Sequence, residues 1–145
     1  MPATGDYDRA IADFTEAIRL NPQFAHAYTN RGSSYADIGN YDRAIADFNE
    51  AIRLDPQYTD AYIYRGSSYY NKGDNDRVIA DFTAVIRLDP QNANAYAICG
   101  SSYYNNGDYG KAIADYEAVL RIDPNHPYAR DSLEKAQETK RESEG

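Results

Sequence analysis

The side chains in this sequence that could do chemistry are few and scattered. There are two histidines, His26 and His126, and one cysteine, Cys99. One cysteine can form neither an internal disulfide nor a cysteine-based zinc site, and neither histidine lies in a grouping typical of a metal centre or a catalytic triad. We predict that His26 is a solvated residue near a helix start and that His126 is a cap before Pro127. The sequence therefore predicts no catalytic residue, no metal, no cofactor and no enzyme activity.

Serines and charged pairs recur along the chain, and both have a structural interpretation. The repeated segment GSSY lacks the G-x-S-x-G elbow of a serine nucleophile, so its serines are predicted to pack between helices. Basic and acidic residues four positions apart stabilise a helix by roughly 0.2–0.5 kcal/mol, which predicts a solvated outer face. These pairs are Arg43 with Asp47, Arg77 with Asp81, and Lys111 with Asp115.

The composition excludes two classes of partner. The 145 residues carry a net charge of −8, whereas affinity for phosphate backbones comes from clustered Lys and Arg. We therefore expect no nucleic-acid partner. No apolar run is long enough to cross a bilayer, and the opening residues MPATGDYDRA lack the regions of a secretory signal. We expect no membrane partner and a cytoplasmic location.

A period of 34 residues organises the chain, and such a period indicates a repeat array. Two sets of residues recur at this interval: Gly5, Gly39, Gly73 and Gly107, and Pro22, Pro56, Pro90 and Pro124. Full copies of the unit lie at 25–58, 59–92 and 93–126, while 5–24 match only its second half. The missing first half indicates either a fragment of a longer protein or a partner surface left open at this end. Residues 1–4 lie outside the repeat and are expected to be flexible.

Each unit is predicted to contain two helices. The apolar residues between Tyr41 and Leu54 follow the three- and four-residue steps of an amphipathic helix. A Gly and a short polar residue precede each helix of this type and a Pro follows it, which predicts a polar cap and a proline stop. The predicted caps are Asp6, Asn40, Asp74 and Asp108. The first helices of the units are predicted at Phe24–Asp37, Asp60–Asn71 and Asn94–Asn105.

Glycines recur inside the first helices, at Gly32, Gly66 and Gly100. Each weakens its helix by about 1 kcal/mol relative to Ala, so their recurrence predicts close approach between helices.

The C-terminal segment is predicted to be a capping helix. Pro127 stands at a favoured first helical position, and Leu133 and Ala136 form a narrow apolar stripe among charged residues. This composition is typical of a helix that covers the last repeat. We expect the tail to fray from Glu138 onward.

The repeat also places a large aromatic, a Gly, a Tyr, an Ala, a second aromatic, a second Ala and a Pro at fixed positions. In the first full copy these are Tyr28, Gly32, Tyr35, Ala44, Phe48, Ala51 and Pro56. The pattern resembles the tetratricopeptide repeat family, whose period is also 34 residues. The resemblance implies an all-α fold, an α-solenoid in which antiparallel helix pairs form a right-handed superhelix. It implies a single domain over 1–145, with a half repeat at 5–24, full repeats at 25–58, 59–92 and 93–126, and a capping helix at 127–142.

The resemblance further implies where a partner binds, because the first helices of that family line a concave wall that receives a peptide. This role falls on positions away from the Tyr and Gly packing face: Asn30, Ser33, Asp37, Asp60, Ile63, Tyr64, Ser67, Tyr70, Asn71, Asn94, Ile98, Ser101, Tyr104 and Asn105. Some members of the family grip a terminal carboxylate with Lys, Asn and Arg. That clamp is absent here, since the matching positions are Thr29, Ser33, Tyr64, Asn94 and Ile98.

We therefore expect a non-enzymatic interaction scaffold that holds a protein or peptide segment in a groove rich in Tyr and Asn. The alternative is a self-assembly module. In that interpretation the unpaired helix from Asp6 to Leu20 seeks a partner in another copy, giving a homo-oligomer through terminal helices, either a dimer or a head-to-tail stack.

Overall fold

Eight helices lie within residues 4–145, the part of the chain that the computed structural model describes. The chain divides after Gly73 into two units. The first unit contains α1 (Thr4–Leu20), α2 (Ala25–Asp37), α3 (Tyr41–Leu54) and α4 (Thr59–Lys72), and the second contains α5 (Asn75–Leu88), α6 (Ala93–Asn105), α7 (Tyr109–Ile122) and α8 (Ala129–Glu144). No strand interrupts these described residues, so the all-α prediction is confirmed. The flexible end expected for residues 1–3 lies outside the described residues, and Thr4 already belongs to α1.

Polar caps begin the second helices of the units, as predicted at three of four positions. The side chains of Asn40, Asp74 and Asp108 accept hydrogen bonds from backbone N–H groups three residues ahead, at 3.3, 3.3 and 3.4 Å. The prediction for Asp6 is wrong, because α1 begins at Thr4 and Asp6 lies in its first turn. A carboxylate there still interacts favourably with the positive end of the helix dipole.

The proline stops are confirmed at the ends of these helices. The helix α3 ends at Leu54, and Asp55 before Pro56 takes an extended ψ of 90°, the conformation that a following proline favours. The Asp55 carboxylate then accepts a hydrogen bond from the Gln57 backbone at 3.1 Å and closes a turn.

A glycine in the left-handed region turns the chain between paired helices. Gly39 has a φ of +83°, which costs little without a Cβ. The following Asn40 N–H donates to the Tyr35 carbonyl at 2.8 Å, which closes the end of α2. The short connection brings α3 back against α2, so that the two helices form an antiparallel hairpin.

Close approach at the helical glycines is confirmed at two positions. A Cβ on Gly32 would lie 2.6 Å from Cε1 of Phe48, and one on Gly100 would lie 2.9 Å from the Tyr116 ring. Phe48 is completely buried, and Tyr116 is 3% exposed. The glycines therefore let each first helix lie directly on the aromatic ring of its partner.

The helix α8 differs from its prediction at both ends. Pro127 lies in a turn, and Tyr128 is the residue before the first helical position, so the predicted start was wrong. The helix also continues past Glu138 to Glu144, so the predicted fraying is not observed. Its apolar stripe packs as expected, with Ala129 and Ala136 fully buried against α6 and α7.

The recurring acids do not lie on a solvated face, and that prediction is wrong. Asp47 is 5% exposed and pairs with Arg31 of α2, through Nη2 to Oδ1 at 2.7 Å and Nε to Oδ2 at 2.9 Å. Arg43 lies instead over the Tyr35 ring, 5.7 Å from its centre. Asp81 is also buried, at 2%, and Asp115 is half-buried. The hydrogen bond to Asp47 raises the pKa of Arg31 above its ordinary value.

The two histidines have different environments. His26 is exposed near the start of α2, as predicted, and its Nδ1 lies 3.1 Å from the Tyr58 hydroxyl. His126 is not a cap: it is 7% exposed, its Nε2 lies 3.3 Å from Asn94 Oδ1, and its ring packs edge-on against Tyr128.

Candidate functional site

The first unit contains a groove between α2 and α4, here called the α2/α4 groove, with a volume of about 590 Å³. Five of the sequence-predicted site residues line it: Ser33 and Asp37 from α2, and Tyr64, Ser67 and Asn71 from α4. Because α2 and α4 each present residues three or four positions apart, these side chains fall on the facing sides of the two helices. The structure thus brings together residues from two successive repeats.

The contribution of α3 to the groove was not predicted. Phe48 and Tyr41 of α3 line it, together with Ala36 and Ser68. The ring of Tyr64 lies over the buried ring of Phe48, with centroids 5.9 Å apart, so the core side chain positions the groove side chain. The signal for Tyr41 and Phe48 was present in the repeat pattern, where both were interpreted as packing residues only.

The polar groups of the groove are hydroxyls, an amide and one carboxylate. Asp37, Ser67 and Asn71 are exposed, and Tyr64 is 42% exposed. The Asn71 amide donates to the Ser67 carbonyl at 2.9 Å, which orients the side chain along α4. No Lys, Arg or His is among the lining residues. The site therefore offers hydrogen-bonding groups, aromatic rings and one negative charge.

Four predicted residues of the first unit are not among those that line this groove. Asn30 and Ile63 are half-buried, while Asp60 and Tyr70 are exposed, with Tyr70 at 58%. Thr29, one of the positions matching the carboxylate clamp, is 1% exposed, and its hydroxyl donates to the Ala25 carbonyl at 3.2 Å. Its side chain is thus engaged within α2.

The second unit has a smaller counterpart between α6 and α8, the α6/α8 groove, with a volume of about 170 Å³. Of the predicted residues, Ser101, Tyr104 and Asn105 line it, whereas Asn94 and Ile98 do not. The Asn94 side chain contacts His126 instead.

Side chains of α8 project into the α6/α8 groove. The Tyr104 hydroxyl lies 3.0 Å from Thr139 Oγ1, and the Lys135 ammonium lies over the Tyr104 ring, 5.5 Å from its centre. Sequence analysis missed Lys135, Thr139 and the lining residue Ser132 because it treated α8 as a cap alone. Lys135 lies two periods of 34 residues after Ser67, so the repeat pattern already aligned these two positions.

Within the described part of the chain we considered three other properties: metal binding, a reactive cysteine and membrane-spanning helices. Between Thr4 and Gly145, no three His, Cys, Asp or Glu side chains cluster so as to hold a metal ion. Cys99 is buried, and burial raises the pKa of its thiol to about 12, which disfavours the reactive thiolate. None of the helices in these residues has both the length and the apolar character that a membrane span requires.

Paired helices of similar length, glycine contacts between them and grooves between successive first helices define a class: all-α repeat proteins built from helical hairpins. A family model of the tetratricopeptide repeat matches residues 3–59 and 65–127, well over half of the sequence. The chain belongs to the tetratricopeptide repeat family, and its fold is an α-solenoid of helix pairs.

Several solved structures are similar to this chain. A crystal structure of MamA has 29% sequence identity and a TM-score of 0.87, covering 94% of this chain and 80% of that chain. The first TPR of Spaghetti (RPAP3) bound to HSP90 peptide SRMEEVD has 26% identity and a TM-score of 0.74, covering 81% and 93%. The Arabidopsis OM64 TPR domain, at 19% identity and a TM-score of 0.71, covers 79% and 95% and shows the fold alone. The search of curated proteins found no match.

Proposed function

We propose that this protein is a non-enzymatic scaffold for protein–protein interaction that holds an extended peptide segment in the α2/α4 groove. The observation that carries the proposal is the groove itself, about 590 Å³ in volume and lined by polar and aromatic residues of α2, α3 and α4. This volume lies within the range of about 300–1,000 Å³ that ligand sites have.

The types of residue in the groove suit an extended peptide. A peptide backbone presents alternating donors and acceptors, and the Asn71 amide and the Ser33 and Ser67 hydroxyls can serve both. Tyr64 adds a large contact area and a polar tip at low conformational cost, which is the role of tyrosine in many interfaces. The buried Phe48 beneath it limits the movement of the ring.

A neighbour in structure supports peptide binding by this fold, although with a different ligand. The first TPR of Spaghetti (RPAP3) is bound to the HSP90 peptide SRMEEVD, in which three of the last four residues are acidic. In this chain Thr29 is buried, and the positions that match the clamp include no Lys or Arg. The proposed ligand is therefore an internal peptide segment and not an acidic terminus.

Selection from a random library of short linear peptides, displayed against the intact chain, tests the proposal. Ser67→Arg places a long side chain in the α2/α4 groove and is expected to weaken the selected peptides at least tenfold, about 1.4 kcal/mol. Tyr64→Ala removes an aromatic wall and should weaken them similarly. Ser143→Arg adds the same charge at an exposed position of α8 and should leave binding unchanged.

Circular dichroism melts accompany these measurements, because Tyr64 packs on the core. The proposal is wrong if Ser67→Arg, folded as the wild type, binds the selected peptides with undiminished affinity. Tyr70→Ala, on the same helix but outside the lining, shows whether the binding surface extends to the other predicted residues.

The second candidate function is self-assembly, and the exposure of α1 favours it. Ala10, Phe14 and Ala17 of α1 are only partly buried, whereas their counterparts one repeat later, Ala44, Phe48 and Ala51, are fully buried. The first helix of a repeat in another copy of the chain could cover this face and give a dimer or a stack. Light scattering over a wide range of concentrations tests it.

A further inference from the structure

The α2/α4 groove carries a negative charge without a basic residue in its lining. Asp37 is the last residue of α2, so its carboxylate adds to the negative end of the helix dipole. The nearby cations contact other groups: the Lys72 ammonium lies 2.5 Å from Asp42, and Arg31 pairs with Asp47. A cation that entered the groove would meet uncompensated negative potential.

Aromatic rings also line this groove. Tyr41, Phe48 and Tyr64 line the same groove as Asp37, and Tyr64 is 42% exposed. The face of an aromatic ring carries partial negative charge and attracts ammonium and guanidinium groups by about 0.5–2 kcal/mol. Rings and carboxylate therefore favour the same kind of ligand.

The corresponding groove of the second unit contains a cation over an aromatic ring, although that ring, Tyr104, stands at the position of Ala36. Lys135 lies two repeat periods beyond Ser67, and its ammonium lies 5.5 Å from the centre of the Tyr104 ring in the α6/α8 groove. That groove measures about 170 Å³, against about 590 Å³ where the small Ser67 stands. Asn105 stands there at the position of Asp37, so the larger groove also has the more negative wall.

We propose that the α2/α4 groove recognises a lysine or arginine side chain of an extended peptide, seated between the Asp37 carboxylate and the rings of Tyr41 and Tyr64. This inference rests on the proposed function and names the chemistry of its ligand. The backbone of the peptide contacts the Ser and Asn side chains, and the cationic side chain supplies specificity. Affinity then falls as salt concentration rises, because the attraction is partly electrostatic.

The test begins with the peptides selected on the wild-type chain, which are expected to be enriched in Lys or Arg at one position. A synthetic peptide with that residue replaced by methionine, for Lys, or citrulline, for Arg, should bind about tenfold more weakly. Asp37→Asn should weaken the cationic peptide by a similar factor and leave the neutral peptide unchanged, a coupling that a double-mutant cycle measures. Asp13→Asn removes the same charge from an exposed position of α1 and should change neither.

The outcomes separate this inference from the proposed function. The cation site is wrong, but the scaffold stands, if Ser67→Arg weakens the selected peptides and these peptides contain no basic residue. The same conclusion follows if the peptides bind Asp37→Asn as tightly as they bind the wild type. Peptides that Ser67→Arg does not affect overturn both. Since Asp37 is exposed at a helix end, its replacement is not expected to lower the melting temperature.

Discussion

At the scale of single residues, the positions of the Arg31–Asp47 ion pair are occupied by other residue types in the third full repeat. Sixteen residues separate the two, and the same separation joins Cys99 to Asp115 in the third full repeat. There the acid has lost the guanidinium that would neutralise it. Burial raises the pKa of Asp115 to about 6, because a carboxylate without a cation is poorly solvated in a protein interior.

Asp115 is predicted to make stability depend on pH. Its pKa in the folded chain is about 6, above the ordinary value of 3.8, so the folded state binds the proton more tightly than the unfolded state. The stability from this group is complete below about pH 4 and is lost as pH rises through about 6. Asp115→Asn should raise the melting temperature at pH 7 by about 2–4 °C, with a difference that vanishes near pH 4.

Thermal melts at several pH values check this prediction. Glu117→Gln, an exposed change of the same kind on α7, should not reproduce the dependence. A benefit of Asp115→Asn that stays constant between pH 4 and pH 7 would show that the carboxyl group is not the cause. Cys99→Arg, which recreates the pairing of Arg31 with Asp47, should remove the same pH dependence.

At the scale of helices, periodicity and local caps determined the elements to within a residue or two. The bounds of α3, Tyr41–Leu54, were predicted without error, because the cap, the amphipathic period and the proline stop are local signals. The continuation of α8 past Glu138 was missed, and there Thr139 contacts Tyr104, which lies 35 residues away in the sequence.

The hairpin of α2 and α3 is predicted to depend on Gly32. Gly32→Ala improves helix propensity by about 1 kcal/mol, but its Cβ would lie 2.6 Å from the Phe48 ring and 3.1 Å from the Ala44 carbonyl oxygen. Because Phe48 is fully buried, the helices must separate, and we expect a net destabilisation of about 1–3 kcal/mol.

Denaturant unfolding measures this cost, and Gly110→Ala is the matched control. Gly110 lies in the first turn of α7 with open space around it, so the same substitution should stabilise the protein by about 0.4–1 kcal/mol. Equal effects at the two positions would mean that helix propensity alone decides and that the close approach at Gly32 is unimportant.

At the scale of the whole molecule, the two units have grooves of unequal volume, and one terminal helix exposes a face that its counterparts bury. In the α6/α8 groove, Lys135 lies over the Tyr104 ring. The α2/α4 groove has the smaller Ser67 at the position that corresponds to Lys135. The half-buried face of α1, with Ala10 and Phe14, is the second surface with the composition of an interface.

If α1 mediates self-assembly, the weight-average mass will rise with concentration, and Ala10→Arg will abolish the rise by placing a charge in the contact. Ala12→Arg, on the exposed side of the same helix, should leave it unchanged. Multi-angle light scattering that shows a monomer at all concentrations would remove this candidate.

The sequence by itself determined the repeat, its helices, its turns and its family, because each follows from signals within a few residues or from the 34-residue period. It also indicated five of the residues that line the α2/α4 groove. Only the tertiary structure decided that Asp47 meets Arg31 instead of Arg43, that Lys135 lies on Tyr104, and that the two grooves differ in volume. Those facts depend on which side chains from different helices reach the same point, and residue types and spacing along one helix do not contain that information.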